Sequence, residues 1–400
     1  MKLTVVIVSY NVRHYLEQCI VSVRRAAQGI DYQIIVVDNA SHDDTVSHLS
    51  RRFKDAAITI IESRHNLGFA RANNIAIRQT QSQYVLLLNP DTFVAEDSLT
   101  QVLAFMDTHP KAGGVGVKMH NADGTLARES RRSLPTPWVS LLKMLGFSRR
   151  YYMSHLSWDE PGQIEVLSGA FCMLRREALL QVGLLDEDFF MYGEDIDLSF
   201  RIRRGGWENW YVPASIVHYK GESTQKSSYR YVHVFYQAML IFFRKHYSHQ
   251  SLFVTIPIKL AIYFRACLAV AQMLCQRLRR ALGFDAKAHT PMNYCFIGSA
   301  PMIEQCRSLA RRRGLAARFV QVAPADPSSP AEGIAAGASS VSRTVEVPSG
   351  AVAGAAVYDA DLFSFSQIIA HASSPAAGHA LIGTYSSETK TIITQREIIQ

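Results

Sequence analysis

The sequence predicts an α/β protein: a doubly wound, mostly parallel sheet, then apolar and amphipathic helices, then a small Rossmann-like α/β unit. Three observations predict it. Nearly continuous apolar runs, the pattern of strands buried on both faces, recur in "KLTVVIVSY", "YQIIVVDNAS", "AITIIES" and "YVLLL". Segments with apolar residues at helical spacing separate the runs, and a β-α-β-α order lays the strands parallel. Turn-forming and acidic residues stop them: Asp38 ends the second, and Asn89-Pro90-Asp91 the fourth.

The elements follow in order. Residues 3–9 are a first strand and 12–27, "VRHYLEQCIVSVRRAA", a helix. After the second strand, "DDTVSHLSRRF" is a helix with acidic residues in its first turn. "GFARANNIAIRQT" is the third helix and 84–88 the fourth strand. A further strand covers 112–118, whereas 120–165, with "RESRRSLPTPW" and "WDEPGQ", reads as exposed and loop-rich. "IEVLSGAFCMLRREALLQVG" is a strand then a helix, the next helix begins near Glu194, and "WENWYVPASIVHYK" is a strand ending at His218. This first domain spans about residues 1–230.

Residues 231–285 change character. "YVHVFYQAMLIFFRKHY" and "SLFVTIPIKLAIYFRACLAVAQMLCQRLRR" are apolar helical segments with basic residues. The second has the length of a membrane span, but Lys259 and Arg265 interrupt it and Arg277, Arg279 and Arg280 close it. A helix or helix pair lying in a membrane interface is the expected arrangement, with packing on the first domain as the alternative. Residues 284–292 read as a linker. In 286–400, "NYCFIGSA" begins an α/β unit, "PADPSSPAEGIAAGASS" reads as a loop, and "GAAVYDADLFSFSQIIAHAS" adds a strand, turn and helix. A lone glycine turn says little of this unit's role.

The formal net charge of +8 suits anionic lipid or a phosphorylated substrate. No Lys/Arg run interleaved with aromatics occurs, so nucleic acid is not an expected partner. The six cysteines form no CxxC pair and read as buried thiols of a reducing compartment. The first apolar run is a strand, too short for a signal peptide, and a cytoplasmic protein is expected.

Ligands of open parallel sheets sit outside the carboxyl ends of the strands. Asp38 and Asp91 lie there, and Glu194, Asp195 and Asp197 cluster at a helix start. Converging carboxylates need cations, and Mg²⁺ or Mn²⁺ shared with substrate phosphates would satisfy Asp91. Each residue alone has a plainer reading: Asp38 and "NPDT" as turns, "EDID" as an acidic first helical turn. Asp197 and Arg201 have i,i+4 spacing, and Trp207 and Trp210 read first as core.

"VVIVSYN", "VVDNASHDDT", "NLGFARANN", "LLLNPDTF", "SGAFCMLRREALLQVGLLDEDFFMYGEDIDLSFRIRRGGW" and "IVHYKGEST", in this order over about residues 1–245, resemble the family 2 glycosyltransferases of GT-A fold. The branch is similar to bacterial rhamnosyltransferases of surface-polysaccharide assembly. The resemblance implies inverting transfer from a nucleoside-diphosphate sugar to an acceptor hydroxyl. It places Ser9 on the floor of the nucleotide pocket, Asp38 on the base, Asn66 and Gly68 against the nucleotide and ribose, and Arg71 near the diphosphate. Asp91 matches the metal-binding aspartate of the DxD motif, and Asn89 stands where that motif has its first Asp. His218 matches a further metal ligand or makes an ordinary hydrogen bond. Asp195 matches the catalytic base, and Glu194 beside it binds acceptor or shares the proton. The basic amphipathic region implies a polyprenyl-linked glycan acceptor and a peripheral position at the inner face of the cell membrane. The unit from 286 looks like the small α/β domain sometimes fused behind such enzymes. The competing readings are a catalytically silent nucleotide-sugar-binding module and a nucleotidyltransferase. The latter would want a glycine-rich phosphate loop after strand one, which "VSYNVRHYL" lacks.

Overall fold

Strands β1 (Leu3–Ser9), β2 (Tyr32–Asp38), β3 (Ile58–Glu62) and β4 (Tyr84–Leu88) lie parallel in the order β3-β2-β1-β4. Ser9 is opposite Asp38 and Ile7 opposite Leu88, so the carboxyl ends form one edge. The computed structural model describes residues 1–220, 229–247, 252–281, 292–322 and 354–400. The chain divides into two units, Met1–Met119 with Ala127–Ala288, and His120–Leu126 with His289–Gln400.

Helices α1 (Arg13–Ala26), α2 (Thr45–Arg52) and α3 (Phe69–Gln79) are the crossovers. The sheet continues through β5 (Thr92–Val94), β6 (Ala112–Asn121), β7 (Gly162–Ile164), β8 (Phe171–Arg175) and β9 (Glu208–His218). Past β4 the order is β8-β6-β9-β5, with β7 on β9. Four of these pairings, β4 with β8, β6 with β8, β5 with β9 and β7 with β9, are antiparallel. The sheet is therefore parallel over the stretch the apolar runs announce and turns antiparallel beyond it. Alternation explains the unbroken runs. Val5, Ile7 and Leu86 join Leu16 and Ile20 of α1, together with Leu99 and Met106 of α4 (Ser98–Thr108). Val6, Val85 and Leu87 face the other way, onto Ala72 and Ala76 of α3. That second face also holds Leu179 of α6 (Arg176–Val182) and Ile202 of α7 (Glu194–Arg204). Both faces of β1 and β4 are covered, so nearly every position in them is apolar, whereas the edge strand β3 exposes Thr59 and Glu62.

The segment expected to be an exposed loop holds a helix, α5 (Pro137–Met144), and several buried residues, among them Arg131, Ser133 and Tyr151. Arg131 is held by Leu156 O and the Trp158 ring, and Arg132 by Asp195, which is described with the site below.

Helix α8 (Tyr229–Tyr247) packs on the first unit through Ala238 and Phe242, which meet Leu134, Val166 and Phe189. His246 Nε2 lies 2.6 Å from Asp197, which also takes Arg201 at 2.8 Å, so the i,i+4 pair is a three-residue cluster. Helix α9 (Leu252–Ala281) differs. Ile256, Leu260, Phe264, Leu268, Leu274 and Leu278 are exposed at helical spacing. No described helix is long and apolar enough to cross a membrane. Cys267 and Cys275 on α9 are exposed, correcting the expectation of six buried thiols; Cys19, Cys172, Cys295 and Cys306 are buried.

The second unit has β10 (Asn293–Gly298), α10 (Ala300–Arg313), β11 (Ala316–Gln321), β12 (Gly354–Asp359), α11 (Phe365–Ala372), β13 (Leu381–Ser386), β14 (Thr391–Ile393) and β15 (Ile398–Ile399). Its sheet order is β11-β10-β12-β13-β14-β15, parallel through β13 and antiparallel after. Ser299 caps α10 and donates its hydroxyl to Asp359 at 2.6 Å. The linker expected at 284–292 falls almost wholly outside the described residues. The loop expected at "PADPSSPAEGIAAGASS" and the "GEST" end of the last motif also lie outside them.

Candidate active site

Two loops and a helix start meet at the carboxyl edge of the parallel strands. After β4, Asn89 donates its backbone N–H to Ala170 O at 3.0 Å. A Cβ on the next residue back, Gly169, would stand 3.8 Å from Asp195 Cβ and 3.8 Å from the Phe69 ring at the start of α3. Asp91, two residues past Asn89, holds the strand that carries His218: its carbonyl accepts from Tyr219 N at 3.0 Å, and Thr92 pairs with His218 in register. The sequence-predicted residues Asn89, Asp91, His218 and Asp195 thus belong to one neighbourhood, bridged by Gly169 and Ala170, although they come from distant parts of the chain.

Asp195 is held from both sides. Oδ1 accepts from Ile196 N at 2.8 Å, and Oδ2 accepts from Arg132 at 2.6 Å. Arg132 also donates to Leu167 O at 2.6 Å and hydrogen-bonds Tyr151. Burial works against the guanidinium charge, but Asp195 and Tyr151 outweigh it and raise its pKa. Each Asp195 oxygen keeps a lone pair, and the rotamer is fixed.

Glu194 is different. It is buried, and its Oε2 has no hydrogen-bond partner among the described residues. Burial first, then the Asp195 charge, push its pKa up to about 8. The paired carboxylates therefore divide roles: Arg132 gives Asp195 a cation that Glu194 lacks, and Glu194 keeps its proton near neutrality. The raised folded-state pKa stabilises the fold below an ordinary Glu value, and this contribution is lost as pH rises toward 8. Glu194→Gln should abolish that decline. Relative to wild type it should gain about 2–4 kcal/mol between pH 5 and 8, read from urea midpoints. Parallel wild-type and variant profiles would disprove the assignment.

His218 Nε2 lies 3.3 Å from Asp91 Oδ1 and 3.3 Å from Asn89 Nδ2. Its buried Nδ1 has no hydrogen-bond partner among the described residues. Among those residues no three His, Cys, Asp or Glu side chains cluster as a complete metal cage. Asp91 Oδ1 and His218 Nε2, 3.3 Å apart, are nevertheless a carboxylate–imidazole pair that fits a divalent ion taking its other ligands from phosphate oxygens and water.

On the other side of the edge, Ser9 is fully buried with an Oγ lacking a partner among the described residues. Asp38 accepts from Ser41 N at 2.9 Å and Ser41 Oγ at 2.6 Å, the turn its plainer reading anticipates. That still leaves acceptor capacity on both oxygens. Asn39 ties the loops together. It donates to Asn66 Oδ1 at 3.0 Å and accepts from Leu67 N at 2.8 Å, while Asn66 accepts from Gly68 N at 3.0 Å. Gly68 has φ +80°, and a Cβ there would sit 2.3 Å from Phe190 O. Gly68→Ala combines left-handed strain with a backbone clash and should lower stability by about 2–4 kcal/mol, read by denaturant titration. A loss within 0.5 kcal/mol, about that of a surface change, would show that the loop yields. Arg71 is exposed and paired with Glu187 at 3.1 Å, which also takes Arg78 and Asn74.

Residues 4–183 match the family described as glycosyl transferase family 2. The chain carries a family 2 glycosyltransferase domain. The protein is a glycosyltransferase similar to the N-acetylglucosaminyl-diphospho-decaprenol L-rhamnosyltransferase of Mycobacterium tuberculosis, with 28% identity over 267 residues, covering 62% of this chain and 85% of that protein. It is also similar to the poly-beta-1,6-N-acetyl-D-glucosamine synthase of Staphylococcus aureus (strain COL), 24% identical over 186 residues, 46% of this chain and 42% of that protein. Among solved structures, a mannosyltransferase from Pyrobaculum calidifontis in complex with GDP-Man and Mn²⁺ aligns with TM-score 0.45 and 20% identity, over 69% of this chain and 74% of that one.

Two residues of this candidate site escape a reading of the sequence. Asn39 hides in a turn motif. Arg132 lies in the segment read as exposed loop, yet adjacent acids Glu194 and Asp195 at a buried helix start demand a nearby cation, and "RESRRS", with three arginines, is a stretch able to give one. Trp207 donates to Gln181 at 2.8 Å and Trp210 to Glu208 at 2.9 Å, and both pack against the core.

Proposed function

We propose that this glycosyltransferase moves a sugar, with inversion, from a nucleoside-diphosphate donor to a hydroxyl of a polyprenyl-diphosphate-linked glycan. Rhamnose is the favoured sugar. The observation that carries the reaction is the fixed Asp195 carboxylate, pinned by Arg132 beside the edge that bears Asp91 and His218. Asp195 accepts the acceptor hydroxyl proton as that oxygen bonds to the anomeric carbon. The bond from that carbon to the diphosphate oxygen breaks on the opposite face, and the pair of electrons leaves with the nucleoside diphosphate. Asp91 and His218 would hold Mg²⁺ or Mn²⁺, whose chemistry is to neutralise the leaving diphosphate. Ser9, Asp38, Asn66 and Gly68 line the nucleotide end, and Asn89 flanks the diphosphate. Arg71 reaches it only by giving up Glu187.

The substrate assignment rests on the mycobacterial relative, whose name specifies L-rhamnosyl transfer onto N-acetylglucosaminyl-diphospho-decaprenol and whose length this chain largely spans. The exposed apolar row of α9 supports a membrane-surface position. The test is transfer from dTDP-rhamnose, UDP-sugars and GDP-sugars to N-acetylglucosaminyl-diphospho-polyprenol, with the product anomer read by NMR. An inverted rhamnoside is expected. Transfer of another sugar would overturn the donor assignment, and transfer only to water-soluble glycans would overturn the acceptor.

A further inference from the structure

The strand of chain that carries Arg132 leaves the site and comes back to it. Ser133 N donates to Tyr151 O at 2.8 Å, and Tyr151 also hydrogen-bonds Arg132. Residues 134–150 are thus an excursion whose neck is the pair that holds Asp195. The neck is rigid: Leu134 N donates to Glu165 at 2.7 Å, Leu134 packs on Phe189, and Arg131 lies 3.5 Å above the Trp158 ring. The far end is the reverse. Trp138, Leu145 and Phe147 are 58%, 64% and 67% exposed. Trp138 lies in the first turn of α5, and Leu145 and Phe147 follow directly after its end. Lys143, Arg149 and Arg150 are exposed around them, and residues 131–158 contain no Asp or Glu.

We propose that this excursion is a membrane-docking element: its apolar tip enters an anionic bilayer surface and its neck delivers the lipid-linked acceptor to Asp195. Charge decides the occupant. A tip of tryptophan, leucine and phenylalanine with exposed Lys143, Arg149 and Arg150, in a stretch 131–158 without Asp or Glu, matches the amphipathic interface of an anionic leaflet. The element is separate from α9. It rests on the lipid-linked reading of the acceptor and adds the residues that meet the lipid.

The test uses the full chain with phosphatidylglycerol–phosphatidylcholine vesicles carrying brominated acyl chains. Tryptophan quenching is expected for wild type and lost in Trp138→Phe, because Trp158, Trp207 and Trp210 are engaged within the fold. Leu145→Ser/Phe147→Ser should weaken vesicle affinity roughly tenfold or more. It should raise KM for the vesicle-borne acceptor and leave kcat/KM for a short-chain soluble acceptor unchanged. Transfer to the lipid-linked acceptor with equal quenching in wild type and Trp138→Phe would overturn this inference and leave the proposed function standing. Trp138 quenching without any such transfer would keep the docking tip but overturn both acceptor delivery by the neck and the proposed function. Dimerisation abolished by the Leu145/Phe147 pair, with no quenching, would assign the tip to a second copy and overturn the proposal.

Discussion

Asp195→Asn should lower kcat about 10³-fold while leaving nucleotide-donor affinity within about threefold. The substitution keeps one acceptor oxygen, turned to Ile196 N, and sets an amide NH2 toward Arg132 in place of the second oxygen, so it removes the charge, the proton affinity and one of the two hydrogen bonds. A general base contributes in the transition state and not to the bound ground state, so the loss belongs in kcat. The variant also leaves Arg132 with a neutral partner. Breaking a buried pair commonly costs about 3–5 kcal/mol, so unfolding must be followed beside turnover. Arg132→Met/Asp195→Asn separates the two effects. It removes the stranded cation, should recover part of the stability, and should stay as inactive as Asp195→Asn. A single variant that turns over within about tenfold of wild type would end Asp195's candidacy as base and return attention to Glu194.

How much of this was legible in the residues differs along the chain, for physical reasons. β1, β2 and β4 could be read because both faces of the parallel sheet are covered there, which leaves few positions polar. Asp38 and Asp91 could be placed at the edge because a chain order of alternating strands and helices fixes the carboxyl ends on one side. The antiparallel strands β5 and β7 are three residues each, too short to show a period. Helix α5 and the burial of Arg132 were hidden because tertiary electrostatics, not local pattern, order that segment. Arg132 is held by Asp195, 63 residues downstream, and Arg131 by Leu156 O and the Trp158 ring. The two apolar segments after residue 230 look alike as sequence, yet α8 packs through Phe242 and His246 while α9 keeps a leucine-rich row in solvent. What separates them is Asp197: a buried carboxylate waiting on α7 gives α8, and not α9, a reason to dock.

Asp91→Ala tests the other half of the edge. Asp91 is almost fully buried, and His218 lies against it. If these two side chains hold a divalent ion against the donor diphosphate, wild-type affinity for the nucleoside diphosphate should rise about tenfold or more on adding Mn²⁺, and Asp91→Ala should show no such rise. Its kcat/KM should fall roughly 10²–10³-fold, because the leaving diphosphate loses its main neutralising charge. Asn89 sharpens the test. One carboxylate and one imidazole make a weaker site than two carboxylates and an imidazole, so Asn89→Asp, 3.3 Å from His218 Nε2, should tighten Mn²⁺ binding. It should also lower apo stability through repulsion from Asp91, which added Mn²⁺ would restore. Calorimetric titration of Mn²⁺ with nucleotide across the three proteins decides it. Equal Mn²⁺ dependence in all three would take the metal away from Asp91. The Asp91–His218 contact would then be an ordinary ion pair closing β5 onto β9.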